Sequence, residues 1–252
     1  MGKYLNIGNA GFEAVRKGIY VDKTDMISYI NGVLGTTDKM MCVSRPRRFG
    51  KSFAAKMLCA YYDKSCDSKE LFQGFKISKD KNFETYLNKY LVIYLDITLF
   101  TSRTSDINTV VQDINREVTT EITHVFPNIV GGKDLAETLL HVTEKTGEKF
   151  IMIIDEWDAV FREARENTKL QKEYVTFLRS LFKSSWTDIV FEAAYLTGIL
   201  PIKKYGTQSA MTDFREYSML APKKLAEYLG FTEPVVRNLC NQYHMDFEKM
   251  KK

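Results

Sequence analysis

Met40–Ser52, MMCVSRPRRFGKS, decides the fold. Met40 to Ser44 is a short run with the character of a buried strand. A tight loop follows, ends in Gly50-Lys51-Ser52, and opens directly into an amphipathic helix. Strand, loop and helix in this order are the layout of a phosphate-binding loop. Glycine lets the backbone approach an anion. Lysine places a point charge at the terminal phosphates, and a serine hydroxyl at the helix start can ligate Mg²⁺. The helix N-terminus adds unpaired N–H groups and partial positive charge. The pattern is incomplete, because the usual motif has a first glycine five residues before the second, and Arg45 stands there. Taken alone, Gly50-Lys51-Ser52 reads more readily as an ordinary helix start with a surface lysine. The rest of the chain separates the two readings.

The 252 residues suit one large domain, or a domain with a small appendage. Apolar residues make up 44% and charged residues 27%, an ordinary globular composition that excludes a disordered chain. A net charge of +4 is too mild to argue for nucleic acid by itself. No apolar run approaches the length of a membrane span. The opening MGKYLNIGNAGFEAV lacks the continuous apolar core of a signal peptide. Cys42, Cys59, Cys66 and Cys240 form no Cys-x-x-Cys pair, so they are expected as reduced thiols of a cytoplasmic protein. His124, His141 and His244 are scattered, and no zinc site is expected.

Residues 1–38 form a lead-in. Tyr20–Thr24 is a short extended piece, and Thr24 or Asp25 caps a helix through Asn31 with Met26, Ile27 and Ile30 on one face. This lead-in either packs on the sheet edge or covers the base of a bound nucleotide. After the loop, Phe53, Met57, Leu58 and Tyr61 are spaced as a helix face against a sheet. Residues 71–90 are helical turns and loop, broken at Gly74. Leu91–Ile97 is a β-branched and aromatic run, a buried strand ending near Asp96. Ser105 or Asp106 caps a helix carrying Ile107, Val110, Val111, Ile114, Val118 and Ile122, which Pro127 and Gly131-Gly132 close. A second helix spans Leu135 to Thr146, then a strand Phe150–Ile154, then a helix from Lys169 to Lys183. Residues 189–200 contain a strand ending at Thr197-Gly198. Strands alternating with helices predict a mainly parallel sheet with helices on both faces, a three-layer α/β/α sandwich. Residues 201–220 are loop-rich with a final strand at Tyr217–Leu220, which closes a main domain at 1–220. The remaining 221–252 form a small helical segment whose last helix starts after Thr232 and carries Val235, Val236, Leu239, Cys240 and Tyr243 on its apolar face.

Phe150–Glu156, FIMIIDE, supplies the second half of the site. An apolar strand running into Asp-Glu sets acids at the carboxyl edge of the sheet, where open α/β sheets bind ligands. Asp155 there holds Mg²⁺, and Glu156 polarises water for attack on a terminal phosphate. Either motif alone has an ordinary explanation. Together, at two strand ends, they predict a P-loop NTPase fold. The Glu beside the Asp points to the subclass with an extra strand between the loop strand and the acid strand, and 189–197 is the natural candidate. Thr197 then falls between the two motifs, either orienting the attacking water or capping a turn. Arg45, Arg47 and Arg48 crowd the loop. Arginine binds phosphate bidentately, so at least one is expected on phosphate or on the acids.

Gly11-Phe12-Glu13, Tyr20-Val21-Asp22-Lys23-Thr24, Arg45 through Ser52, Leu95-Asp96, Ile154 through Asp158, Leu196 through Leu200 and Tyr228 through Glu233 stand in order. Together they resemble the bacterial AAA-ATPase-like family of P-loop proteins, over essentially the whole chain. Its most specific motif here is Arg-Pro-Arg-Arg-Phe-Gly-Lys-Ser, and the missing first glycine is that family's habit. Trp157 stands where the family has tyrosine. The resemblance implies ATP and Mg²⁺ as ligands. Arg47, Arg48, Phe49, Gly50, Lys51, Ser52 and Phe53 are expected to bind nucleotide, Ser52 and Asp155 to hold the metal, and Lys51, Glu156 and Thr197 to act in catalysis. Similar proteins usually continue into a nuclease-like domain of the PD-(D/E)XK type, and no candidate for that domain's paired acids and lysine is read in this sequence. The expectation is a fragment or a short natural protein. The two functions in view are an ATPase and a nucleotide-gated module acting on a partner domain or nucleic acid; a kinase lacks a readable acceptor pocket. For an assembly in which a neighbouring subunit supplies an arginine, Arg162, Arg165, Arg179 and Arg215 are available.

Overall fold

The computed structural model describes residues 2–202 and 211–250. Five apolar runs form one sheet: β1 (Met40–Ser44), β2 (Leu91–Asp96), β3 (Phe150–Asp155), β4 (Phe191–Gly198) and β5 (Arg215–Tyr217). Their order is β2-β3-β4-β1-β5, and every neighbouring pair is parallel. β4 therefore lies between the loop strand and the acid strand, as its sequence position led one to expect. Nearly every residue of β1 to β4 is buried, because a parallel sheet is covered on both faces and has no solvent side to mark by alternation.

The two faces still divide the side chains by parity. Met40, Cys42, Met152, Ile154, Ala194 and Leu196 belong to one core, whereas Met41, Val43, Ile151, Ile153, Ala193 and Tyr195 belong to the other. The first core is closed by α7 (Val110–Val125), α8 (Leu135–Thr146), α9 (Ala159–Glu163) and α10 (Thr168–Phe182). The second is closed by α1 (Ala10–Arg16), α2 (Asp25–Asn31) and α3 (Lys51–Tyr62). This is the three-layer α/β/α arrangement with a parallel sheet. The helices start where the sequence places acceptors for free N–H groups: Asp134 takes Glu137 N–H at α8, and Asn167 takes Leu170 N–H at α10.

A register slip in β4 places the site. Phe150 pairs with Phe191 but Ile151 pairs with Ala193, so Glu192 is an extra residue in β4. Beyond it, Ala193, Tyr195 and Thr197 share the face of α3, the face to which Asp155 also belongs. Without the slip the side chains of β4 would exchange faces, and Thr197 would point at the opposite helical layer.

Several elements differ from their sequence readings. The last strand is 215–217 rather than 217–220, and Met219 and Leu220 are exposed. The Arg45 guanidinium takes the Tyr217 carbonyl at 2.6 Å, where a longer ladder would need that group. Asp106 caps a short 3₁₀ turn, Ile107–Thr109, before α7 begins at Val110. Phe53 is 52% exposed, so it stands off the sheet-facing side of α3. Thr24 makes no cap bond; its hydroxyl donates to Asp22 and accepts from Ile77 N–H. Residues 203–210 of the loop-rich stretch lie outside the described residues.

The lead-in packs on the sheet edge and also reaches the loop. Leu5 bridges Ile93 and Tyr4 O accepts from Tyr94 N–H at 2.8 Å, so residues 4–6 cover the β2 edge. Tyr20, Val21 and Lys23 line a cleft over the loop. The C-terminal segment also returns to this body. Leu225 and Leu229 are buried in the core shared with α3, and Gly230 N–H donates to Phe49 O at 3.0 Å. Two helices then follow, α12 (Glu233–Gln242) and α13 (Phe247–Met250). The apolar face expected on α12 is only partly covered: Cys240 is buried, Val235, Val236 and Leu239 are half-buried, and Tyr243 is exposed. The partner of α12 among the described residues is chiefly the single turn α13, which is too small to cover that face. No helix of the described residues is long and apolar enough to cross a membrane.

Candidate functional site

The loop from β1 to α3 turns through two left-handed residues, Arg48 (φ 68°) and Gly50 (φ 78°). A Cβ at Gly50 would meet nothing within 4 Å, so the backbone angle and not space calls for glycine there. Arg48 in this region is the more costly case, a strained residue inside the loop. α3 begins at Lys51, which sets its unpaired N–H groups at the end of the loop. Lys51 is almost fully buried, donates to Pro46 O at 3.2 Å and lies 3.5 Å from Glu156 Oε1.

The carboxyl ends of β3 and β4 complete the arrangement. Asp155 is 2% exposed and accepts from the Thr197 hydroxyl, from Glu156 N–H at 3.1 Å and from the Tyr94 hydroxyl at 3.4 Å. Burial, with Asp155 next, holds the Tyr94 phenol far above its ordinary range, so this hydroxyl remains a donor. Trp157 N–H donates to Thr197 O at 2.9 Å and extends the β3–β4 pairing past Asp155. Glu156 adopts φ 52°, which turns its side chain toward the loop and Lys51. One carboxylate oxygen faces Lys51; the other accepts from Arg162 Nη2 at 2.6 Å. Burial pushes the Glu156 carboxyl above its ordinary range, and the charges of Lys51 and Arg162 oppose that shift.

A cleft of about 630 Å³ opens over these groups. Arg47, Arg48, Lys51, Ser52 and Glu156 make its polar end. Tyr20, Val21, Phe49, Phe53, Tyr228 and Phe231 contribute to its apolar walls. The lead-in, the loop, α3 and the returning C-terminal segment thus meet at one opening. A charged end beside an aromatic compartment has the chemistry of a site for a phosphorylated, ring-bearing ligand. A separate groove of about 580 Å³, lined by Phe100, Arg103, Asp113 and Arg116 among others, contains none of these groups.

The residues expected from sequence fall into three sets. Arg47, Arg48, Phe49, Gly50, Lys51, Ser52, Phe53 and Glu156 line the cleft. Asp155 and Thr197 are buried at the same sheet edge and bonded to each other. Arg45 is elsewhere: it is 2% exposed, with Nη1 donating to Ser44 O at 3.1 Å and Tyr217 O at 2.6 Å. Its side chain occupies the seam between β1 and β5, and burial lowers its pKa. So the arginine in the place of the first glycine turns away from the cleft. Among the described residues no loop arginine pairs with an acid; that partnership belongs to Arg162.

Arg162 was legible only as a residue for a neighbouring subunit, yet it lies in this chain's own site. Its Nε is also 3.3 Å from Asp158 Oδ2, an ion-pair contact that is not aligned as a hydrogen bond. Asp158 is fully buried and accepts from Ile199 N–H at 3.1 Å and Leu200 N–H at 2.8 Å. The i,i+4 spacing of Asp158 and Arg162 was the available signal. Arg165 donates to Arg162 O on the surface, Arg179 is exposed on α10, and Arg215 pairs with Asp38. Tyr94 carries no local signal, and the Tyr228–Glu233 motif says nothing of where Tyr228 and Phe231 lie; packing brings them to Asp155 and to the cleft.

A search of curated proteins finds no match to this chain. The family model described as Predicted AAA-ATPase matches residues 6–207, a span that holds β1 to β4, the loop and the Asp155-Glu156 edge. The chain belongs to the AAA-ATPase-like family.

Proposed function

We propose that the protein binds ATP with Mg²⁺ and hydrolyses it. The observation that carries this reading is the meeting of Lys51 and Glu156, 3.5 Å apart, at the polar end of a cleft whose other walls are apolar and rich in aromatic side chains. Lys51 is the charge for the terminal phosphates, with the loop N–H groups and the start of α3 around them. The aromatic walls take the base.

Ser52 and Asp155 fit a shared Mg²⁺. Asp155 is a buried carboxylate that pairs with no lysine or arginine among the described residues, and Ser52 lines the cleft at the helix start. No cluster of three or more His, Cys, Asp or Glu side chains is present among the described residues. Two protein oxygens suit an ion that takes its remaining ligands from phosphate and water, as Mg²⁺ does. When bound, the ion neutralises charge on the phosphate oxygens. Thr197 and Tyr94 orient the Asp155 carboxylate. In the reaction the water oxygen bonds to the terminal phosphorus as the bridging P–O bond breaks, and Glu156 Oε1 receives the water proton. ADP and phosphate leave.

One observation favours a second reading, a nucleotide-gated module with little turnover. Both Glu156 oxygens are engaged by cations, and a carboxylate so held is a weak base. Phosphate release by wild type, Lys51→Ala and Glu156→Gln separates the two. Hydrolysis predicts turnover that both substitutions reduce by at least about tenfold. Wild type that binds ATP and releases no more phosphate than Lys51→Ala would establish the switch instead. Either reading places the protein in the cytoplasm, where ATP is abundant and unpaired cysteines such as these four stay reduced.

A further inference from the structure

Glu156 divides its two oxygens between two cations of its own chain. Oε1 faces Lys51 Nζ at 3.5 Å, and Oε2 accepts from Arg162 Nη2 at 2.6 Å. Arg162 itself is only 16% exposed and is held from behind by Asp158, whose side chain is fully buried. Asp158 in turn is fixed by the Ile199 and Leu200 N–H groups immediately after β4. The line Glu156–Arg162–Asp158–Ile199/Leu200 is therefore a largely buried strut, with Asp158 fully enclosed at its middle, joining the acid to the end of the neighbouring strand. The lysine side of Glu156 faces the cleft, and the arginine side faces protein.

We propose that Arg162 is a cis-acting positioning residue that anchors Glu156 by one oxygen and aims the other at the terminal phosphate. The inference rests on the nucleotide reading of the cleft. A terminal phosphate is a stronger partner for Lys51 than the Glu156 carboxylate, because it carries more negative charge. When Lys51 moves to it, Oε1 is released on the phosphate side, whereas Oε2 stays on Arg162. Without Arg162 the carboxylate keeps Lys51 alone as a cation partner among the described residues. It then holds Lys51 more tightly and presents an unbalanced negative charge to incoming phosphate. Arg162 thus acts twice through Glu156: it fixes the direction of the base, and it leaves Lys51 available to the nucleotide. Arg165 and Arg215, engaged on the surface, have no such route to the acid.

The test uses the whole chain with Arg162→Gln, Arg162→Lys, Glu156→Gln and the double variant Glu156→Gln/Arg162→Gln. Two readouts are taken, phosphate release and titration with a fluorescent ATP analogue in Mg²⁺ buffer. Arg162→Gln is expected to slow release by at least about tenfold and to weaken nucleotide binding by about threefold or more. Arg162→Lys should recover part of both. In the Glu156→Gln background, removing Arg162 should change each readout by less than about twofold, because the group it positions is gone. Equal losses in both backgrounds would mean that Arg162 merely supports the fold, and unchanged values in Arg162→Gln would overturn the proposal outright. Should wild type release no more phosphate than Lys51→Ala, the hydrolysis reading fails by itself. The binding cycle then still decides the role of Arg162.

Discussion

Gly198→Ala should disable this site by displacing side chains buried behind the cleft. An ideal Cβ at Gly198 would lie 2.6 Å from Trp157 Nε1 and 2.7 Å from Asp158 Oδ1. Trp157 and Asp158 are both fully buried, so neither can swing into solvent. The indole edge would have to retreat by about 0.8 Å to reach ordinary contact, and the carboxylate by nearly as much. Overpacking of this kind costs about 1–3 kcal/mol. Moving Asp158 also strains its bonds from Ile199 and Leu200 N–H, each worth about 1 kcal/mol. A loss of about 2–4 kcal/mol is expected. For a chain of this size that lowers the midpoint of thermal unfolding by roughly 4–16 °C. Differential scanning calorimetry reads the shift. Because Asp158 backs Arg162, nucleotide turnover should fall as well, even at temperatures where the variant is folded. A midpoint within about 1 °C of wild type, with full turnover, would refute the close packing of β4 on the Trp157-Asp158 turn.

Two more substitutions address neighbouring contacts. Thr197→Val keeps the shape of the side chain and removes the hydroxyl donated to the buried Asp155. A lost bond to a charged group costs about 1.5–3 kcal/mol, so a melting curve should shift down by about 3–12 °C, and Mg²⁺ dependence of nucleotide binding should weaken. An unshifted curve would show that Asp155 does not depend on Thr197. Gly230→Ala places a Cβ 2.7 Å from Phe49 Cδ1 at a residue with φ 78°. The left-handed angle alone costs about 1–2 kcal/mol for an L side chain. The clasp between Gly230 N–H and Phe49 O should open, fluorescent-nucleotide affinity should drop about threefold to tenfold, and the melting midpoint should fall by about 2–8 °C. Unaltered affinity would remove residues 228–231 from the nucleotide site.

The legible part of the fold was the part written in local runs. Phe150–Ile154 is wholly apolar and five residues long, which leaves little choice but a buried strand. Val110, Val111, Ile114, Val118 and Ile122 recur with helical period, and all five are buried. Gly50-Lys51-Ser52 and Asp155-Glu156 were recognisable because their chemistry is carried by adjacent residues at strand ends. Less legible were features that depend on a distant partner. Phe53 has a helical spacing that fits the sheet side, but the cleft takes it. Tyr217–Leu220 has strand composition, yet Arg45 from the loop takes the Tyr217 carbonyl and the strand stops there. Arg162 differs locally from Arg165 by its i,i+4 spacing from Asp158, and the turn after β3 is what brings it to Glu156.

Residue types and their order along the chain determined which segments are strands and helices, that the sheet is parallel, and that the lysine and the acids stand at carboxyl ends. These follow from burial, periodicity and the chemistry of the loop. Tertiary structure alone decided which of these groups meet. The extra residue Glu192 in β4 sets the parity of that strand, so that Thr197 faces Asp155 and not the helices on the other side. A single inserted residue leaves the composition of an apolar strand almost unchanged, and its presence is defined only against the neighbouring strand. The same holds for the cleft, whose walls come from residues near 20, 50, 156 and 230. Local sequence fixes the shape of each wall, but the burial of Leu225 and Leu229 with α3 closes them around one space.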